Sequence, residues 1–76
     1  MNIDMQAVYT SIAADYGCKP DGLQISLISA SGKKLKNAHC DMYMLLADYV
    51  GLKSIYRLIV DHLNGNISLR WRPVRY

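Results

Sequence analysis

From residue 38 to residue 63 the chain reads AHCDMYMLLADYVGLKSIYRLIVDHL, and its apolar positions fall in a regular rhythm. Met42, Leu45, Tyr49, Leu52, Tyr56, Ile59 and Leu63 are separated by steps of three and four. That spacing stacks side chains along one face of a helix. The pattern therefore predicts a long helix over residues 38–63 that carries the main core-facing stripe. Asn37 suits its N-cap, and Asp41 lies near its positive end. Asn64-Gly65 suits its end, with His62 close to the last carbonyls. Gly51 falls in the middle. The stripe keeps its phase across that glycine, which favours one continuous or kinked helix, at a cost of ~1 kcal/mol relative to alanine. The other reading ends one helix at Gly51 and starts a second at Leu52.

Around this stretch the polar and apolar positions predict shorter elements. A first helix runs over residues 4–16, with Asp4 as N-cap and Ile3 and Val8 placed for a hydrophobic staple. Met5, Val8, Tyr9, Ile12 and Tyr16 share its apolar face. Gly17 stops it, and Pro20 forbids a restart. After the Asp21-Gly22 turn signal, Leu23, Ile25 and Leu27 alternate with Gln24 and Ser26, the pattern of a half-buried strand. Lys33, Lys34, Leu35 and Lys36 fit a short second strand blunted by lysines as an edge. At the other end Ile67, Leu69 and Trp71 alternate with Ser68, Arg70 and Arg72. This is a strand with one apolar and one cationic face, ended by Pro73. The expected fold is one small α+β domain over residues 1–76: an N-terminal helix, a short antiparallel sheet, one long helix packed on it, and a C-terminal strand.

Composition adds three constraints. Seventy-six residues with 51% hydrophobic and 20% charged positions make a globular chain rather than a disordered one. The formal charge is +3, too mild to imply nucleic acid by itself. The aromatic set is six tyrosines and one tryptophan with no phenylalanine, so every aromatic has a polar tip. Such rings suit interfaces as well as core edges. The opening residues lack the basic start and apolar run of a signal peptide, and no stretch is apolar enough for a membrane span. The expectation is a cytoplasmic protein without a membrane partner, its two cysteines reduced.

Candidate chemistry is sparse. Cys18, His39, Cys40 and His62 are residue types that bind zinc, but they lack paired ligand spacing. On a helix His39 and Cys40 would also point apart. No metal and no cofactor is expected. All six acidic residues are aspartates, most at cap, turn or solvated positions. Ser31-Gly32-Lys33-Lys34 has a phosphate-loop flavour without the length that cradles phosphates. An enzyme is not expected.

Two binding readings follow. The C-terminal strand sets Arg70, Arg72 and Arg75 among Trp71 and Tyr76, residue types that dominate protein interfaces. It predicts a small non-catalytic module of regulator or inhibitor type that meets a protein partner, by strand addition or by capping an acidic patch. A second copy is an alternative partner, with Met42, Leu45, Tyr49, Leu52 and Tyr56 as a heptad-like seam. The other reading is DNA or RNA binding, through the same arginines with Lys33, Lys34, Lys36, Lys53 and Arg57. Residues 46–52, LADYVGL, have the small residue and turn glycine of a helix-turn-helix. Against that motif, Arg57 stands where it needs a buried aliphatic residue.

Overall fold

The computed structural model describes residues 3–31 and 39–73. One helix, α1 (Met5–Tyr16), is followed by a 3-10 turn at Pro20–Gly22. Four strands come next: β1 (Gln24–Ser31), β2 (Cys40–Tyr49), β3 (Leu52–Asp61) and β4 (Asn66–Arg72). They form one sheet in the order β1-β2-β3-β4, and each neighbouring pair is antiparallel.

Helix α1 forms where the sequence places it, because its signals are local. The Asp4 carboxylate accepts a hydrogen bond from the Ala7 N–H at 3.2 Å. Gly17 closes the helix in the left-handed conformation, at φ 70°. Val8, Ile12 and Ala13 are buried against the sheet, meeting Leu45, Ala47, Tyr56, Leu58 and Val60. Ile3, Tyr9 and Tyr16 pack at the margin of that cluster. β1 and β4 also occupy the stretches that alternation predicts, and β4 ends at Arg72, immediately before Pro73.

The long helix over residues 38–63 is not present, and no helix packs on the sheet besides α1 among the described residues. Residues 40–61 form β2 and β3 instead, a hairpin turned at Val50-Gly51. The supposed stripe has a different origin. Tyr49 pairs with Leu52, Leu45 with Tyr56, and Met42 with Ile59 across the hairpin. These positions are mirror images about the Val50–Gly51 bond, so the steps of three and four on one side repeat in reverse on the other. The heptad-like seam dissolves for the same reason. Strand alternation puts Leu45 on the helix side of the sheet and Met42 on the opposite side. The helix-turn-helix reading has no helices to rest on, since residues 46–52 are the tip of the hairpin. Asn64-Gly65 belongs to the β3–β4 turn rather than to a helix end. The proposed second strand with Lys33, Lys34 and Lys36, and the Asn37 cap, lie outside the described residues.

Gly51 is therefore a turn residue. Val50 has φ 46° and Gly51 φ 90°. Positive φ at both central residues is the signature of the two-residue turn whose twist matches a hairpin. The Asp48 carboxylate accepts a 2.8 Å bond from the Gly51 N–H and holds the turn closed. Val50 is the misfit: a β-branched residue in the left-handed region, with its side chain 83% exposed.

Two tyrosines tie α1 to the sheet. The Tyr16 hydroxyl donates toward the Leu52 carbonyl at 2.8 Å and lies 3.0 Å from Ser54 Oγ. Its ring meets Tyr49 edge-on at 6.0 Å. The Tyr56 hydroxyl donates to Asp15 Oδ2 at 2.8 Å. Burial pushes the Tyr56 phenol well above its ordinary range, and the hydrogen bond and charge of Asp15 push it further.

Two predictions follow from these contacts. Val50→Asn keeps the hairpin and relieves the strained side chain, so it should stabilise the protein by about 1 kcal/mol in denaturant unfolding. Tyr56→Phe keeps the ring but leaves the Asp15 carboxylate without its donor. It should lower stability by about 1–2 kcal/mol with an unchanged denaturant slope.

Candidate binding surface

The sheet has two faces, and α1 lies on one of them. That side carries Ile25, Leu45, Ala47, Tyr56, Leu58 and Leu69, all in or against the core. In an antiparallel sheet with one covered face, the other normally turns polar. β4 obeys this rule: Asn66, Ser68, Arg70 and Arg72 point away from α1, as do Gln24, Ser26 and Ser29 of β1. The central strands break it. Met42, Met44 and Leu46 of β2, and Ile55 and Ile59 of β3, also point away from α1. They are half-buried by their neighbours and are not part of the packed core. No element among the described residues covers them.

Cations border this apolar strip. Arg57 lies on the same face, with Met44 opposite on β2 and Arg70 opposite on β4. Arg72 lies opposite Ile55, one step along. Directly opposed side chains on a sheet have Cβ atoms ~5 Å apart, and like charges at that spacing repel. No carboxylate pairs with these three arginines among the described residues. Arg57 Nε is buried and has no hydrogen-bond partner. An unsatisfied buried donor costs stability unless something else supplies an acceptor. Lys53 is on this face too, opposite Asp48 near the hairpin turn.

The residues singled out from the sequence therefore separate. Arg70 and Arg72 come together with Arg57, which the sequence offers both as a possible nucleic-acid contact and as a flaw in a DNA-binding motif. Trp71 lies between the two arginines in sequence but on the other face of the sheet. There it is 59% exposed and lines a groove of about 330 Å³ with Ile12, Asp15, Tyr56 and Leu69. Arginine forks and an aromatic ring are thus not presented together. Arg75 and Tyr76, with Lys33, Lys34 and Lys36, lie outside the described residues. The apolar strip itself escaped the sequence reading. Its signal was the run MYMLLA, apolar at both odd and even positions.

A second cluster sits at the end of the sheet remote from the Val50-Gly51 turn, where Cys40 and Asp61 have the register of this face and Asp41 that of the other. Cys40 opens β2 directly opposite Asp61, which ends β3. His39 extends the ladder, its carbonyl accepting from the His62 N–H at 3.0 Å. His39 Nε2 is 3.6 Å from Asp61 Oδ1, and His62 Nε2 is 2.7 Å from Asp41 Oδ2. Hydrogen bonds from the Asn64 side chain and backbone hold the Asp61 carboxyl below its ordinary range. Burial pushes the Cys40 thiol up, and the charges of Asp61 and Asp41 add to it.

Arg57→Thr tests the strain on the open face. It removes the unsatisfied donor and the repulsion with Arg70 while keeping a good strand former. The unfolding midpoint should rise, by about 1 kcal/mol in stability, whereas a cation serving only the fold would lower it on removal.

Comparison with known protein families, with curated proteins and with solved structures finds no match to this chain.

Proposed function

We propose that this chain is a small non-catalytic binding module of the regulator or inhibitor type. Its open sheet face would hold an acidic protein segment that also carries apolar side chains. One observation carries the reading. Arg57, Arg70 and Arg72 share that face with no carboxylate paired to any of them among the described residues, beside an apolar strip that no described element covers. Guanidinium groups take carboxylates in a two-pronged fashion, and such bonds strengthen where water is excluded. The Met and Leu side chains of β2 would supply the dry surface. Methionine suits that role, since its flexible thioether adapts to differently shaped partners.

Nucleic acid fits this face less well. Sequence-tolerant binding of single strands uses aromatic rings as stacking platforms beside the cations. Tyr43, Tyr49, Tyr56 and Trp71 all have the register of the α1 side. A cytoplasmic setting suits the proposal, because Cys18 and Cys40 are free thiols. No helix among the described residues is long and apolar enough to cross a membrane.

The test uses three labelled probes: an amphipathic peptide of leucine and glutamate, its leucine and lysine counterpart, and a mixed-sequence single-stranded DNA. The glutamate peptide should bind the wild-type protein. Arg70→Ala/Arg72→Ala should weaken it about tenfold or more, the loss expected for charge-assisted hydrogen bonds. Equal binding of the lysine peptide would refute charge selection. DNA binding that exceeds peptide binding and falls steeply with salt would transfer the surface to nucleic acid.

A further inference from the structure

The cluster at the end of the open face takes no part in the arginine surface, and its composition is unlike that surface. It gathers an imidazole, a thiol and a carboxylate from the two strands at the open end of one hairpin. One ligand atom each from His39, Cys40 and Asp61 lie within 4.8 Å of one another. We propose that His39, Cys40 and Asp61 bind a divalent transition metal ion, with zinc as the ion that fits the donor set.

The register of the hairpin makes the grouping. Cys40 and Asp61 are far apart in sequence but are directly opposed on β2 and β3. The backbone bond from His62 to the His39 carbonyl fixes the residue just before Cys40 at the same end. Nitrogen, sulfur and oxygen donors together suit a borderline ion such as zinc, and they exclude the hard, all-oxygen preference of magnesium and calcium. Donors around one zinc sit ~3.5 Å apart, so the three side chains need to close by about 1 Å, which side-chain torsions supply.

Asp61 is already oriented for such a role. Its Oδ1 accepts from the Leu63 and Asn64 N–H groups at 3.0 and 3.1 Å, and its Oδ2 accepts from Asn64 Nδ2 at 2.8 Å. Carboxylate ligands are typically held by such outer bonds. The neighbouring Asp41 adds a second negative charge at this corner. Cys40 is buried while His39 and Asp61 are half-buried, so the group is supported from beneath and reachable from solvent. Three protein donors leave a fourth position open to water or to a donor from a partner. A bound ion would clamp the open end of the β2–β3 hairpin.

Cobalt(II) titration of the full chain reads the site directly, because only a thiolate ligand gives the near-ultraviolet sulfur-to-cobalt charge-transfer band. The band should saturate at one equivalent and be displaced by zinc. It should vanish in Cys40→Ser and persist in Cys18→Ser. His39→Ala and Asp61→Asn should each weaken cobalt binding by about tenfold or more. Far-ultraviolet circular dichroism without metal checks that each variant folds. Should Cys40→Ser fail to fold, the His39→Ala titration decides, since that half-exposed side chain is not part of the core. Absence of the band in the wild type, its survival in Cys40→Ser, its loss in folded Cys18→Ser, or unchanged affinity in His39→Ala would each overturn the proposal.

Discussion

Among the described residues one short helix has to cover one face of a four-stranded sheet, and the rest of the structure follows from that constraint. α1 has twelve residues, and at 1.5 Å per residue it spans about 18 Å. Its buried side chains reach the middle of the sheet, through Val8, Ile12 and Ala13. They do not reach the edges. A groove of about 330 Å³ remains toward β4, and one of about 290 Å³ remains toward β1. Leu27 stays 61% exposed beside the second groove although it shares the helix-side register. The limited cover also explains the two tyrosine tethers. With so few apolar contacts to fix the helix, hydrogen bonds from Tyr16 to β3 and from Tyr56 of β3 to Asp15 of the helix set its direction.

How much of this was legible depends on whether each signal was local. Asp4, Gly17 and Pro20 act on the residues beside them, so α1 could be read directly. The alternation of β4 could be read for a related reason: its two faces differ in chemistry, apolar on one and arginine or serine on the other. β2 and β3 lack that contrast. Met42, Met44 and Leu46 are as apolar as Leu45 and Ala47, so the two-residue period vanishes into a continuous run. What remained was a three-and-four rhythm across Gly51. A helix produces that rhythm by translation along its axis. This hairpin produces it by reflection, because antiparallel pairs are symmetric about a two-residue turn. A stripe that is a palindrome about a glycine is thus evidence for a hairpin, not only for a helix that survives one.

The candidate surface shows the same division. Arg70 and Arg72 were visible as the cationic face of a strand. Arg57 was visible as a possible nucleic-acid contact and as an error in a helix-turn-helix, not as a neighbour of Arg70, and the apolar strip looked like core. Both belong to a face that exists only once β3 lies between β2 and β4. His39 and Cys40 were visible as ligand types, but their grouping with Asp61 was hidden for a stronger reason. Ligand spacing in sequence is informative when a loop or one helix turn carries both donors. Here an entire hairpin lies between Cys40 and Asp61, and the pairing is set by a turn remote from either.

The position of Arg57 also bears on what the open face would accept. An uncovered apolar strip on a sheet invites a second copy of itself. A two-fold contact between identical faces brings the residues nearest its axis against their own counterparts. Arg57 lies near the middle of this face, flanked by Met44 and Arg70. Face-to-face pairing about that centre would bury guanidinium against guanidinium with no acceptor between them, an expensive arrangement. The same residue that strains the folded chain therefore disfavours self-association through the strip. On the proposed function, a partner that brings oxygen acceptors into the apolar surface would satisfy its Nε, and an acidic segment would do so with charge opposite to that of the three arginines. On the same proposal, Arg57 would give up stability at one position and make the face selective for a partner unlike itself.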